Sequence, residues 1–356
     1  MKGLILAGGT GSRLRPLTYT ENKHLIPIAN KPILFYVIDE LRKAGITEIG
    51  IILGNNSPDD VKAALRDGSA LGVRITYIFQ GEPKGIAHAV HCAKDFVGSD
   101  SFVVYLGDNL LKNGIVEIVQ DFINKDCDAS ISLCAVPNPH MFGVAELDGS
   151  GKAVRLVEKP KEPKSNLALI GVYLLKPSIF PVIENLEPSW RNELEITDAL
   201  QKLIEGGHKV DTHVVKGWWK DTGKPEDILE ANHLVLDDLK PFNHGTVEDG
   251  SMIRGRVGID SGTKIGPGVV IKGPVMIGKN CEITGKTYIG PYTSIGDNTV
   301  IDGAEIEDSI VIGNSRIACQ RRIVDSLIGR NCSITSNAAI PSGHKFIIGE
   351  NSIVQI

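Results

Sequence analysis

Arg13, Arg15 and Lys23 stand in or just beyond a glycine-rich run, Gly8-Gly9-Thr10-Gly11-Ser12-Arg13-Leu14-Arg15, which follows the apolar stretch Leu4-Ile5-Leu6-Ala7. Glycines let a backbone turn approach a ligand closely, and the N–H groups of such a turn can hold phosphate oxygens. The three cations would then lie where phosphates sit. The third glycine of the dinucleotide fingerprint is missing, and no G-x-x-x-x-G-K-[ST] spacing occurs nearby. The pattern therefore predicts a phosphate loop of another kind; a plain strand-to-helix turn carrying surface arginines is the alternative.

Two carboxylates have the placement that a divalent cation needs. Asp108 ends the apolar run Phe102–Leu106 plus Gly107, and Asp221 lies in Gly217-Trp218-Trp219-Lys220-Asp221-Thr222-Gly223. Hard oxygen ligands of this type hold Mg²⁺ against bound phosphate. The plainer readings are a helix N-cap before Leu110 and an Asx-turn. Glu158-Lys159-Pro160 offers a cation for a second phosphate and an acceptor for hydroxyls, or else a solvated strand end closed by proline. In Gln80-Gly81-Glu82-Pro83-Lys84-Gly85, Gln80 has a donor and an acceptor for the edge of a base, while a Pro-Gly turn would explain the same residues. The acidic residues of Asn192–Asp198 suit a helix start. His24, His88 and His91 are read as packing or surface residues.

Alternating elements must position these groups. Apolar runs predict strands at Gly3–Ala7, Glu48–Leu53, Ile75–Phe79, Phe102–Leu106, Ala129–Ala135, Leu167–Leu174 and Lys209–Val215. Helical spacing predicts Ile33–Lys43, Pro58–Leu65, Ile86–Asp95, Ile115–Lys125 and Ile196–Glu205. Such alternation implies an α/β domain with a mainly parallel sheet, with ligands at the carboxyl ends of its strands. After His244 the texture changes. Isoleucine recurs at 259, 265, 271, 277, 283, 289, 295 and 301, and again at 328, 334 and 340. A period of six fits neither a helix nor a flat strand but does fit a β-helix, in which short strands stack identical side chains into an inner ladder. The expected division is 1–238 for the first domain, 239–250 for a linker and 251–356 for the hexapeptide-repeat β-helix.

Bulk properties narrow the class. The 356 residues suffice for two domains, and a formal charge of −5 argues against nucleic acid as the main partner. The six cysteines form no C-x-x-C pair, and no apolar run approaches the ~18 residues of a membrane helix. Met1-Lys2 leads into a strand and a glycine loop, not an apolar leader. A cytoplasmic soluble protein is expected.

The motifs together resemble the nucleotidyltransferase family of sugar-1-phosphate pyrophosphorylases, in the long form with a C-terminal left-handed β-helix. The resemblance rests on Gly8–Thr18, Lys23, Pro27, Lys31-Pro32, Gln80, Pro83, Gly85, Leu106–Asn109, Gly143-Val144, Val157–Pro160, Glu193–Asp198 and Asp221–Gly223. It implies a Rossmann-like domain in which Leu6, Ala7, Gly8, Gly9, Thr10 and Gly11 wrap a nucleoside triphosphate, and Gln80, Pro83 and Gly85 surround the base. Arg13 and Lys23 would neutralise the triphosphate, while Asp108 and Asp221 would hold Mg²⁺. Lys159 would grip the sugar phosphate, with Asn109, Gly143, Glu158 and Val172 around the sugar. The implied reaction joins dTTP and α-D-glucose 1-phosphate into dTDP-glucose and pyrophosphate, with UTP or another nucleotide as the alternative. The β-helix would mediate homo-oligomer assembly; an added amino-sugar acetyltransferase activity would need a basic histidine, for which His344 is the candidate. His24, His88 and Phe142 depart from the usual residues of the short form and bear on substrate choice.

Overall fold

The computed structural model describes residues 1–336; Ile340 and His344 lie outside the described residues. In chain order the elements begin with β1 (Lys2–Ala7), β2 (Pro27–Ile28), β3 (Lys31–Pro32), α1 (Ile33–Lys43), β4 (Glu48–Leu53), α2 (Pro58–Leu65) and β5 (Arg74–Phe79). Next come α3 (Ile86–Cys92), α4 (Lys94–Val97), β6 (Phe102–Leu106), β7 (Asn109–Leu111), α5 (Val116–Asn124) and β8 (Ala129–Ala135). They continue with β9 (Gly143–Leu147), β10 (Ala153–Glu158), β11 (Leu167–Leu175), α6 (Ile179–Glu184), α7 (Ile196–Glu205), β12 (Val210–Val214), β13 (Trp219–Asp221) and α8 (Pro225–Leu236). The chain divides into two compact units. One comprises Met1–Gly11, Thr20–Leu25 and Ile33–Asp221, the other Ser12–Tyr19, Ile26–Pro32 and the chain from Thr222 onward.

The first unit is built on a nine-stranded sheet containing the order β10-β9-β11-β6-β1-β4-β5, with β8 beside β11 and β12 beside β8. Strands β6, β1, β4 and β5 run parallel, whereas β11 is antiparallel to β6 and β8. The expected mainly parallel sheet is therefore mixed at one side. Because residues along a strand alternate between faces, β1 sends Leu4 and Leu6 into one core and Ile5 and Ala7 into the other. Both faces are thus covered, and the strand is a continuous apolar run rather than an alternating one. Helix α7 closes the first face with Ile196, Ala199, Leu200 and Leu203 at helical spacing. On the other face α1 buries Leu34, Val37, Ile38 and Leu41. The expected helix Ile86–Asp95 is two pieces, broken at Ala93 (φ −93°, ψ 6°).

The second unit contains the repeat. Its short strands form three stacks in which every neighbour pair is parallel. Ile259 pairs with Ile277 and Ile277 with Ile295; Ile265, Ile283 and Ile301 form a second ladder; Ile271 and Ile289 lie on a third. This is the parallel β-helix that the hexads imply. The irregular patch after Ile301 does not interrupt it. Ile295 pairs with Val311, Ile301 with Ile317 and Ile306 with Ile323, so these coils lose a residue or two at the corners while keeping the ladder. Within 239–250, Phe242–Asn243 and Thr246–Val247 already pair with the first coil. Helix α8 and the hairpin β2–β3 belong to this unit. No helix among the described residues is long and apolar enough to cross a membrane.

Candidate active site

The glycine loop leaves the C-terminal end of β1, between the parallel neighbours β4 and β6. Gly107 N–H donates to Leu6 O at 2.9 Å, which ties the loop ends after β1 and β6 together. Leu6 and Ala7 are buried. Gly8 and Gly54 touch through backbone: a Cβ on Gly54 would stand 2.4 Å from Gly8 O, and one on Gly8 would stand 2.9 Å from Gln80 Oε1. Gly54 admits no side chain without moving the loop, and a side chain on Gly8 would displace Gln80. Asn56 Nδ2 donates to Thr10 O at 3.2 Å, and Gly11 has φ 64°, where the chain turns out of the unit. Lys23 reaches back over this loop, its ammonium 3.1 Å from the place of a Cβ on Gly9.

Lys23 donates to the carboxylate of Asp108, and both side chains are 13% exposed. Burial pushes the Asp108 carboxyl up, but the Lys23 charge, then His24, and bonds from Lys23 and Asn109 hold it well below the usual carboxylate range. Asp108 begins no helix, because the next residues form β7. That strand pairs antiparallel with β13, placing Asp221 opposite Asn109. The ribbon thus brings Asp221, far away in sequence, opposite the residue that follows Asp108. Trp219 Nε1 donates to Asn109 Oδ1 at 2.6 Å, and Asn109 Nδ2 donates to Asp108 Oδ1 at 2.9 Å. Phe142 packs its ring edge-on to Trp219 at 5.4 Å. His24 is buried beneath Lys23, bonded through Nδ1 to Asn22 Oδ1 at 2.8 Å. Burial first, then the Lys23 charge, push its imidazole down to about 3. Among the described residues no group of three or more His, Cys, Asp or Glu is placed to hold a metal ion.

On the other side of the loop, Gln80 Nε2 lies 3.2 Å from His88 Nδ1 and 3.4 Å from Gly85 O. Pro83 is exposed. Gly85 has φ 102°, and a Cβ there would meet Leu194 O at 2.4 Å, so both its conformation and its neighbour exclude a side chain. Leu194 N donates to Lys84 O at 2.8 Å, joining the segment before α7 to the segment before α3.

Glu158, at the end of β10, pairs in register with Gly143 at the start of β9. It is not a solvated strand end. Thr197 Oγ1 donates to it at 2.7 Å, Arg191 Nη1 lies 3.6 Å away and Lys159 Nζ 4.0 Å away. Arg191 also reaches Glu195 at 3.2 Å and Glu193 at 2.9 Å. Burial, then the Glu158 charge, push the Glu195 carboxyl up against the opposing pull of Ser189 and Arg191. Lys159 itself has φ 43°, and its N–H donates to Phe142 O at 3.0 Å. Val172 turns its side chain into the core with Tyr105 and Leu174, leaving only its main chain to line a site. Arg13 stands in the second unit, in the turn Ser12–Leu14, with its guanidinium 2.8 Å from the place of a Cβ on Gly223.

Nothing in the sequence marks Arg191, Thr197 or Trp219 for a place in the site, and Glu195 reads there only as an acidic residue at a helix start. Glu195 and Thr197 lie inside the motif Glu193–Asp198, but an arginine in a loop and a tryptophan beside another tryptophan carry no signal of their own.

Residues 2–238 match the nucleotidyl transferase family, and residues 271–355 match the GMPPB C-terminal domain. The chain belongs to the nucleotidyl transferase family. A low-salt glycan biosynthesis nucleotidyltransferase, Agl11, from Haloferax volcanii is 53% identical over 357 residues, spanning 100% of both chains. A glucose-1-phosphate thymidylyltransferase from Streptomyces antibioticus is 47% identical, covering 100% of this chain and 99% of its own. A Bacillus anthracis chain, solved with a sucrose and assigned there to the glucose-1-phosphate thymidylyltransferases, superposes with a TM-score of 0.63 at 41% identity. It covers 69% of this chain and 98% of its own.

Proposed function

We propose that the protein is a cytoplasmic glucose-1-phosphate thymidylyltransferase, transferring dTMP from dTTP to α-D-glucose 1-phosphate with release of pyrophosphate. The observation that carries the reading is the meeting of the glycine loop, Lys23, Asp108 and the Asp221 position at the ends of β1, β6 and the β7–β13 ribbon. The Streptomyces relative supplies the choice of nucleotide and sugar. In this reading residues 1–238 perform the reaction, 239–250 lead into the first coil with which they pair, and 251–356 form the β-helix that assembles copies of the chain.

The chemistry asks for little covalent help. The attacking phosphate oxygen is already an anion, so no general base is needed. The obstacle is repulsion: two unit charges at about 4 Å cost about 4 kcal/mol at an effective dielectric of about 20. Lys23 and Arg13 offset that repulsion at the triphosphate, and Lys159 does so at the sugar phosphate. Leu6 to Gly11 follow the nucleoside and its phosphates, Gln80 with Pro83 and Gly85 borders the base, and Asn109, Gly143, Glu158 and the Val172 main chain border the sugar. The donor chemistry fits Mg²⁺: Asp108, just before β7 and held ionised, and Asp221, on β13 opposite Asn109, are the hard carboxylate oxygens that this cation takes beside phosphate. Bound there, the cation would neutralise phosphate charge and orient the reacting groups. Lys23 and Asp108 form an ion pair beside the glycine loop; Asp108 would hold the cation and Lys23 would meet phosphate. Catalysis is then positioning and electrostatics.

The test is pyrophosphate release from purified protein with Mg²⁺ and glucose 1-phosphate, offering dTTP, UTP, GTP, ATP and CTP separately. The expected order is dTTP first and UTP second. Release with GTP or ATP alone would overturn the substrate, and no release with any nucleotide or sugar phosphate would overturn the enzyme reading. Folded Asp108→Ala should lose on the order of 10²–10³ in turnover, and near-normal activity would remove its metal role.

A further inference from the structure

The chain passes between the two units four times around the lysine. It enters the second unit at Ser12, leaves it at Thr20, re-enters at Ile26 and leaves again at Ile33. The segment Thr20–Leu25, which carries Lys23, is therefore bracketed by two stretches that fold with the β-helix. The second stretch is the better anchored. Its hairpin turns at Ala29 (φ 46°) and Asn30 (φ 64°), and a left-handed alanine is a conformation that persists only where its surroundings impose it.

The surroundings do so here. Asn232 of α8 is wholly buried, and its Oδ1 accepts from Ala29 N–H at 2.9 Å and from Ser294 Oγ at 2.7 Å. Its Nδ2 donates to Tyr292 O at 2.9 Å. Asn30 Nδ2 donates to Ile295 O at 2.7 Å, reaching a rung of the inner ladder. Ile26 and Ile28 are fully buried beside them. The end of helix α8 is itself fastened to the coils, with Asp237 accepting from Tyr292 Oη and Arg256 at 3.1 Å each. On the first stretch, Leu17 lies 3.1 Å from the place of a Cβ on Gly329.

We propose that Asn232, with the Ala29–Asn30 turn that it grips, positions Lys23, so that the β-helix contributes to turnover and not to assembly alone. A lysine six residues before so firmly held a turn has little freedom, and an ammonium misplaced by an ångström loses much of its effect on the phosphates. The reading of Lys23 as a phosphate ligand rests on the proposed function.

The test compares Asn30→Gly, Asn232→Ala and Asn298→Ala in the full chain. Glycine keeps the positive φ of residue 30 while removing its bond to Ile295, which makes Asn30→Gly the variant least prone to misfold. Asn298 lies on a corner of the β-helix and serves as the stability control. Amide hydrogen exchange over residues 20–32 and pyrophosphate release at saturating dTTP are measured well below each Tm. Asn30→Gly and Asn232→Ala should raise exchange across 20–32 and lower kcat on the order of tenfold. Asn298→Ala should lower Tm and change neither. Unchanged exchange in Asn30→Gly and Asn232→Ala, or faster exchange with unchanged kcat, would overturn the proposal. So would an equal loss of kcat in Asn298→Ala. An inactive wild-type protein would defeat the functional reading instead, and the exchange rates would then decide the anchoring alone.

Discussion

At Lys23, His24 and Asp108 three titratable groups share a site from which water is largely excluded, and each controls its neighbours. The Lys23 charge holds Asp108 ionised, and burial with that same charge keeps His24 neutral against the opposing pull of Asp108. The histidine has a consequence in acid. In the unfolded chain its imidazole titrates near 6.5, whereas in the folded chain it is pushed down to about 3. Protons therefore bind the unfolded state first. Stability held above pH 6.5 is lost as the pH falls toward 3, and this one residue accounts for about 2 kcal/mol between pH 7 and 5. Urea unfolding of wild type and His24→Gln at those two pH values checks it. The variant should show the shallower decline by that amount, and parallel declines would mean that His24 takes up its proton in the folded chain.

At the scale of elements, two devices recur: short antiparallel pairing that carries a side chain to its place, and left-handed corners that turn the chain. The β7–β13 ribbon is the first kind, since Asp221 owes its position to pairing with Asn109. The corners of the β-helix are the second. Asn280, Asn298, Asn314 and Asn331 all have φ between 50° and 57°. Asn298 Nδ2 donates to Asn314 Oδ1 at 3.0 Å, and Asn280 Nδ2 reaches Asn298 Oδ1 at 3.4 Å. Asparagine tolerates the left-handed region better than other L-residues, and its amide joins successive coils. Asn298→Ala should cost about 1–2 kcal/mol, combining the conformational penalty with the lost amide contacts, and Asn298→Gly about half that. Thermal melts of the two variants check the order. A glycine variant no more stable than the alanine one would mean that conformation is not what selects asparagine there.

For the whole molecule, the stretches 12–19 and 26–32 fold with the coils, although they precede most of the first unit in sequence. The Bacillus anthracis structure shows that 69% of this chain has a counterpart that makes up nearly all of another protein. This chain has nevertheless committed part of its loop region to the repeat. A version ending at residue 238 would leave Asn30 without Ile295 O, and Asn232 without Tyr292 O and Ser294 Oγ. It should therefore melt lower than the full chain and turn over dTTP more slowly at temperatures where both are folded. Equal kcat in the two would show that the first 238 residues hold the loop unaided.

The sequence by itself determined the features written in local pattern. Apolar runs after which the chain must turn announced β1, β4 and β6; six-residue spacing announced the β-helix; and a glycine loop with a lysine ten residues after Arg13 announced the family. Each of these follows from residues near one another in the chain, where periodicity decides which face is buried. Only the tertiary structure decided that Asp221 lies opposite Asn109, that Trp219 bonds to Asn109, that Arg191 and Thr197 hold Glu158, and that Asn232 grips Ala29. It also carried the isoleucine ladder through the stretch after Ile301, where shortened corners hide the period. The physical reason is the same throughout. A hydrogen bond or ion pair depends on strand register and packing to within an ångström, and those are settled by partners tens to hundreds of residues away.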